Sequence, residues 1–153
     1  MTSIHIITYT DTDPDGSNDN NDDQGQADPI VDGLDGYATR YWDCCKPHCG
    51  WSDNVSEGVN PVGTCNRNNN SNGEDYMVTS SCDGSNGFTC YNMAPYAVSD
   101  ILSYGYAAVS ASGDICGKCY QLEFKGTSHN AGDDPGSKAL AGKTMIVLNA
   151  DDQ

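Results

Sequence analysis

Basic residues are scarce in this 153-residue chain: 7 Lys and Arg stand against 22 Asp and Glu, for a formal net charge of −15. A nucleic-acid binder needs a basic face to displace counterions from phosphates, and an anionic membrane surface asks for the same, so both partner classes are excluded. Long apolar runs are missing too, and none approaches the roughly 20 residues of a membrane-spanning helix. Aromatics make up 8% and hydrophobic residues 37% of the chain, which limits the core to a modest one. Residues 1–8 carry no Lys or Arg and only a short apolar stretch, so they do not read as a secretory signal. The length allows one compact domain, or a small domain with a tail.

What is plentiful is glycine, cysteine and acid. Seventeen glycines favour many turns over long helices. Eight cysteines lie between Cys44 and Cys119. Such density suggests a disulfide framework in a secreted domain, and metal or redox chemistry in a cytosolic one. Cys116-Gly-Lys-Cys119 is a CxxC, but the upstream group Cys44, Cys45, Cys49 lacks zinc-knuckle spacing, so disulfides are the favoured reading. The acids are uneven: residues 1–36 hold nine Asp and no Lys or Arg, while residues 37–153 carry a net charge of −6.

The expected organisation follows that boundary. Residues 1–36 are an acidic, Asp- and Asn-rich tail or linker, because residues 11–29 have too little apolar content to offset their ordering entropy. The strand signal within residues 1–10 has nothing obvious to pair with. The domain is placed at 37–153. Its strand signals are Tyr37–Trp42, Tyr106–Ser110, the alternating Tyr120–Phe124 and the apolar Thr144–Leu148. Ala94–Leu102 suggests one or two helical turns. Ser52–Gly87 reads as a long polar loop, of a length that is unusual unless functional or cross-linked.

The block Thr39-Arg-Tyr-Trp-Asp-Cys-Cys-Lys-Pro-His-Cys-Gly-Trp51 resembles the amino-terminal signature of the glycoside hydrolase family 45 endoglucanases. Phe88-Thr-Cys-Tyr-Asn-Met-Ala-Pro-Tyr-Ala-Val98, Gly105-Tyr-Ala-Ala108, Cys116-Gly-Lys-Cys-Tyr-Gln-Leu-Glu-Phe124 and Ala141-Gly-Lys-Thr-Met-Ile-Val147 match further segments in the same order. The resemblance implies an all-β fold, a six-stranded double-psi β-barrel with long disulfide-linked loops. It implies hydrolysis of internal β-1,4-glucosidic bonds with inversion, a reaction that needs a carboxylate base for the water and a carboxylic acid for the leaving oxygen.

By that resemblance the base is Asp43, and Thr39, Tyr41, Lys46 and Trp51 contact the glucan. Aromatic rings suit the flat C–H faces of sugars, although rings of this kind are otherwise core residues. The plain alternative for Asp43 is a local turn or cap. Trp42 is assigned to the core by strand alternation; Tyr96, which stands where the family often has tryptophan, is read as core packing rather than a substrate contact; Arg40 and His48 are read as structural or surface residues. The resemblance also implies the disulfides Cys45–Cys82, Cys49–Cys116 and Cys65–Cys90. Cys44 and Cys119 are left to pair with each other, between chains, or to stay reduced. The family's acid lies downstream of Val147, in a segment resembling His-Phe-Asp before a Gly-rich run. The chain ends at Gln153, so a truncated catalytic domain without its general acid is expected, with an open and unstable barrel. Asp151 and Asp152 are then solvated terminal charges, and Asp114, Asp133 and Asp134 loop charges.

Asp11, Asp13, Asp15, Asp19 and Asp22 fall at positions 1, 3, 5, 9 and 12 of a calcium-loop pattern, with Gly16 at position 6. Position 12 is not Glu and no amphipathic helices flank the loop, so a solvated linker competes with the metal reading. No other cofactor is expected. The function expected is a secreted, monomeric endo-β-1,4-glucanase acting on cellulose or a related glucan. The competing reading is a non-catalytic, expansin-like glucan-binding module, which the missing acid favours.

Overall fold

The structure, a computed structural model, describes residues 1–8, 33–39, 43–110, 113, 115–130 and 133–151. Among the described residues there are six strands, β1 (Thr2–Thr8), β2 (Leu34–Ala38), β3 (Tyr96–Ala97), β4 (Leu102–Ala108), β5 (Cys119–Ser128) and β6 (Thr144–Asp151), and one short α-helix, α1 (Pro135–Ala139). The strands form one sheet in the order β2-β1-β5-β6-β4-β3, which does not close on itself among these residues. β4 and β6 pair in parallel; the other neighbours pair antiparallel.

The strands follow from their side-chain patterns. In β5, Tyr120 is buried and Leu122 and Phe124 are half-buried, while Glu123 and Lys125 face solvent, the two-residue period of a sheet with one wet face. β6 lies between β4 and β5, and its apolar run Met145–Leu148 is buried or half-buried; Val147 is 1% exposed. Gly105 in β4 marks a close approach, since a Cβ there would lie 2.5 Å from Met145 Cε and 3.2 Å from Pro95 Cβ. α1 starts where Asp134 accepts from the Gly136 and Ser137 amides and Pro135 sets the first turn. The core is small. Ile4, Tyr120, Val147 and Ala150 are buried in the sheet, and Cys49, Ile115 and Cys116 form a second cluster against Val55 and Val62.

Several expectations change. The amino-terminal strand does have partners: Ile4 is opposite Gly36 on β2 and Phe124 on β5. Its partner β5 is more than a hundred residues away, beyond the reach of local periodicity. The helical turns expected over Ala94–Leu102 are instead the short β3, which pairs Tyr96 with Tyr104, preceded by a 3-10 turn at Tyr91–Met93. Tyr96 is 59% exposed and stacks on Tyr104 with ring centroids 5.9 Å apart, so it is not a core residue. Asp134 is a helix cap and not a loop charge. The long Ser52–Gly87 region is ordered by short turns and by Cys65, whose backbone bridges to Ser71 and Phe88.

Candidate active site

Three disulfides fix the segment that carries the expected site. Cys45 joins Cys82, Cys49 joins Cys116, and Cys65 joins Cys90. These are the pairs that the family pattern implies, and the zinc reading loses Cys116 to one of them. Cys44 and Cys119 are exposed thiols. Among the described residues, one group of three metal-type side chains comes together, Asp43, Cys44 and Cys45. Cys45 is already bonded to Cys82, which leaves it unsuited to hold an ion.

Asp43 is exposed, and its Oδ1 accepts from the Cys45 amide at 2.8 Å. The segment behind it is pinned from the other side. The Thr89 amide donates to the Cys44 carbonyl at 3.1 Å, and the Thr89 hydroxyl donates to the Cys45 carbonyl at 2.8 Å. The carboxylate therefore stands on backbone anchored by a bridge and two cross-chain hydrogen bonds, the support a reacting group needs to hold its position.

The expected glucan contacts divide. Thr39 is exposed just after β2. Tyr41, with Arg40 and Trp42, lies outside the described residues, as do Asp11, Asp13, Asp15, Asp19 and Asp22 of the calcium pattern, and Asp114 and Asp152. Trp51 is half-buried, between the 3-10 turns His48–Gly50 and Ser52–Asn54. Lys46, expected at a cleft edge, is only 6% exposed. Its Nζ donates to the carbonyls of Tyr76 at 2.6 Å and Val78 at 3.0 Å, and lies 3.4 Å from the Trp51 ring centroid. Burial pulls the Lys46 pKa below the ordinary 10.5, while the nearby Asp75 carboxylate pushes it back up.

Asp151 is no solvated terminal charge. It ends β6 half-buried, and its Oδ1 accepts from the His48 amide at 2.9 Å, tying the turn before Trp51 to the sheet. The Tyr76–Val78 loop is the part of the site that sequence reasoning missed. Its contribution is backbone carbonyls, which every residue has, so no residue type could have flagged it. A cavity of about 400 Å³ lies by β5 and α1, lined by residues including His129, Asp133, Asp134 and Lys138, and none of the described residues expected at the site lines it. Its acids serve the fold: Asp133 pairs with Lys138 at 2.8 Å and Asp134 caps α1.

The sequence profile of glycosyl hydrolase family 45 matches residues 35–151. The chain belongs to that family. Endoglucanase B of Cellvibrio japonicus (strain Ueda107) is 62% identical over 119 residues, covering 78% of this chain and 23% of that protein. An endoglucanase of Phaedon cochleariae is 36% identical over 126 residues, covering 78% of this chain and 47% of that protein. The crystal structure of a cellulase from the Antarctic springtail Cryptopygus antarcticus superposes with a TM-score of 0.59 at 32% identity, covering 75% of this chain and 50% of that one. The family 45 chain thus spans from under a quarter to half the length of these relatives. Its fold is the all-β, disulfide-tied architecture of the double-psi barrel, with a sheet that stays open among the described residues. Among the described residues no helix is long and apolar enough to cross a membrane.

Proposed function

We propose that this family 45 chain carries the general base and part of the glucan-binding surface of a secreted endo-β-1,4-glucanase. In this reading Asp43 takes a proton from the water that attacks the anomeric carbon, and bond cleavage inverts that centre. Thr39, Tyr41 and Trp51 line the surface on which the glucan lies. We assign no residue of this chain to the acid that protonates the leaving oxygen.

The observation that carries the reading is the placement of Asp43. It is an exposed carboxylate, oriented by the Cys45 amide at 2.8 Å, on a segment anchored by Thr89 and the Cys45–Cys82 bridge. The endoglucanase names of the relatives support the substrate class. The three disulfides support an oxidising, extracellular destination.

Reducing ends released from carboxymethyl-cellulose, with the parent chain and with Asp43→Asn, test the proposal. The expected outcome is a drop of about 10²- to 10⁴-fold on losing the base. Equal rates in the two proteins would remove Asp43 from the chemistry. Retained cellulose binding with no hydrolysis by the parent would instead favour the non-catalytic binding-module reading.

A further inference from the structure

Lys46 has a geometry that a sugar-contacting role does not explain. An ammonium has three protons to donate. Here two are directed at the Tyr76 and Val78 carbonyls, at 2.6 and 3.0 Å, and the group packs against the Trp51 ring at 3.4 Å from its centroid. Those three partners use up the donor capacity within the protein.

The stem is confined as well. At the buried Gly50, an added Cβ would come within 3.4 Å of Lys46 Cε and within 3.3 Å of both Thr64 Cγ2 and the Val62 carbonyl oxygen. The Lys46 amide also donates to Ser80 Oγ at 3.3 Å, and Ser80 caps the turn that holds Cys82. The side chain thus packs alongside Gly50 and ends where two loops meet. Trp51 itself stays half-buried, so a ring covered by Lys46 still offers surface to solvent.

We propose that Lys46 is a positioning residue: its ammonium clamps the Trp51 ring to the Tyr76–Val78 loop and makes the indole a rigid platform for a glucan ring, without touching the sugar itself. This rests on the glucan reading of the same site. The energetic logic is preorganisation. A platform held before binding saves the ordering cost of one side chain, which corresponds to a factor of roughly 2–10 in affinity. The cation–π contact is favoured here because the ammonium is desolvated.

The test is calorimetric binding of cellohexaose to the full chain and to Lys46→Met, Lys46→Arg, Trp51→Ala and the Lys46→Met/Trp51→Ala double variant. Lys46→Met is expected to weaken binding roughly threefold to tenfold. Lys46→Arg, whose guanidinium can also stack on the ring and donate to both carbonyls, is expected to restore most of the loss. Once Trp51 is absent, Lys46→Met is expected to change nothing further. Parent-like affinity in Lys46→Met, or an additional loss in the double variant, overturns the clamp.

A ligand-free readout separates this from the glucan reading. The Trp51 emission, taken as the difference between each protein and its Trp51→Phe counterpart, is expected to shift red and quench more readily with acrylamide in Lys46→Met. If the parent binds no cellohexaose, the glucan reading fails and this emission alone decides the clamp, with an unshifted spectrum refuting it. Should Lys46→Met lose its cooperative melt, Lys46→Gln takes its place. It removes the cation from the Trp51 ring while keeping a polar head for the loop carbonyls, and carries the same expected shift.

Discussion

The bridge between Cys49 and Cys116 should carry the largest share of the disulfide stabilisation, because it closes the longest loop and sits in the core. The two cysteines are 67 residues apart, against 37 for Cys45–Cys82 and 25 for Cys65–Cys90. The chain-entropy relation gives about 4.4 kcal/mol for a loop of that length and about 3.5 kcal/mol for the shortest of the three. Cys49 is 0% and Cys116 4% exposed, packed with Ile115 against Val55 and Val62. Deleting two buried sulfur atoms therefore adds a cavity cost of about 1–3 kcal/mol. The sum is comparable to the whole stability of an ordinary domain, about 5–15 kcal/mol. Cys49→Ala/Cys116→Ala should be unfolded or barely folded where Cys65→Ala/Cys90→Ala still melts cooperatively. Urea unfolding followed by near-ultraviolet circular dichroism measures both. The structural consequence follows from position: Cys49 lies in the turn just before Trp51, and Cys116 leads into β5, so the bridge fastens the segment that carries Trp51 to the sheet. A loss under about 1 kcal/mol, or a larger loss for the Cys65–Cys90 pair, would refute the loop-length and burial reasoning.

Two further outcomes are expected from the fold. Asn149 is fully buried; its Nδ2 donates to the Ile115 carbonyl at 3.0 Å and its Oδ1 accepts from the Val109 amide at 3.1 Å. Asn149→Ala removes both bonds, leaving the Ile115 carbonyl only the Lys118 amide at 3.4 Å and the Val109 amide only the Asp151 carbonyl at 3.1 Å; it should cost about 1–3 kcal/mol in denaturant unfolding, whereas a loss within experimental error would show that the remaining partners suffice. Asp134 is held below the ordinary carboxyl pKa of 3.8, chiefly by the Ser137 hydroxyl and then by the Ser137 and Gly136 amides. A depressed folded pKa gives stability that is complete above the unfolded value and lost as pH falls through the folded one. The difference in melting temperature between the parent and Asp134→Asn should thus be largest near neutral pH and shrink as pH falls below the ordinary carboxyl value; a difference that grows in acid would contradict the sign.

The parts of the fold that were legible in the sequence are those whose information is local. Tyr120–Phe124 alternates, Thr144–Leu148 is apolar, and both are strands, β5 and β6. What failed to show was pairing across distance. Ile4 and Ile6 gave a strand signal, but β2 and β5 had to be brought beside them before that strand had a sheet. α1 is a different case. Asp134 followed by Pro135 is a helix-start signal that was present in the sequence and was read as loop charge, because the helix it opens is only five residues long. Tyr96, expected in the core, is exposed because its ring stacks on that of half-buried Tyr104 on the neighbouring strand.

Asp43 and Lys46 show why residue type alone could not apportion the site. The two readings of Asp43, local turn and catalytic base, are compatible. The hydrogen bond from the Cys45 amide that makes the turn also orients the carboxylate, and a base needs orientation more than it needs isolation. For Lys46 the cleft-edge expectation rested on the family resemblance, and it agrees with the habit of long charged side chains to keep their heads in water. That habit yields when the interior supplies what water would: two carbonyls and an aromatic face at hydrogen-bonding and cation–π distances, alongside Gly50. The compensation is visible in the opposing influences on its pKa, burial lowering it and Asp75 raising it. A lysine held this way has little freedom to follow a moving polysaccharide. It is suited to keeping a neighbouring ring still, and a ring kept still is what stacking on successive glucose units demands.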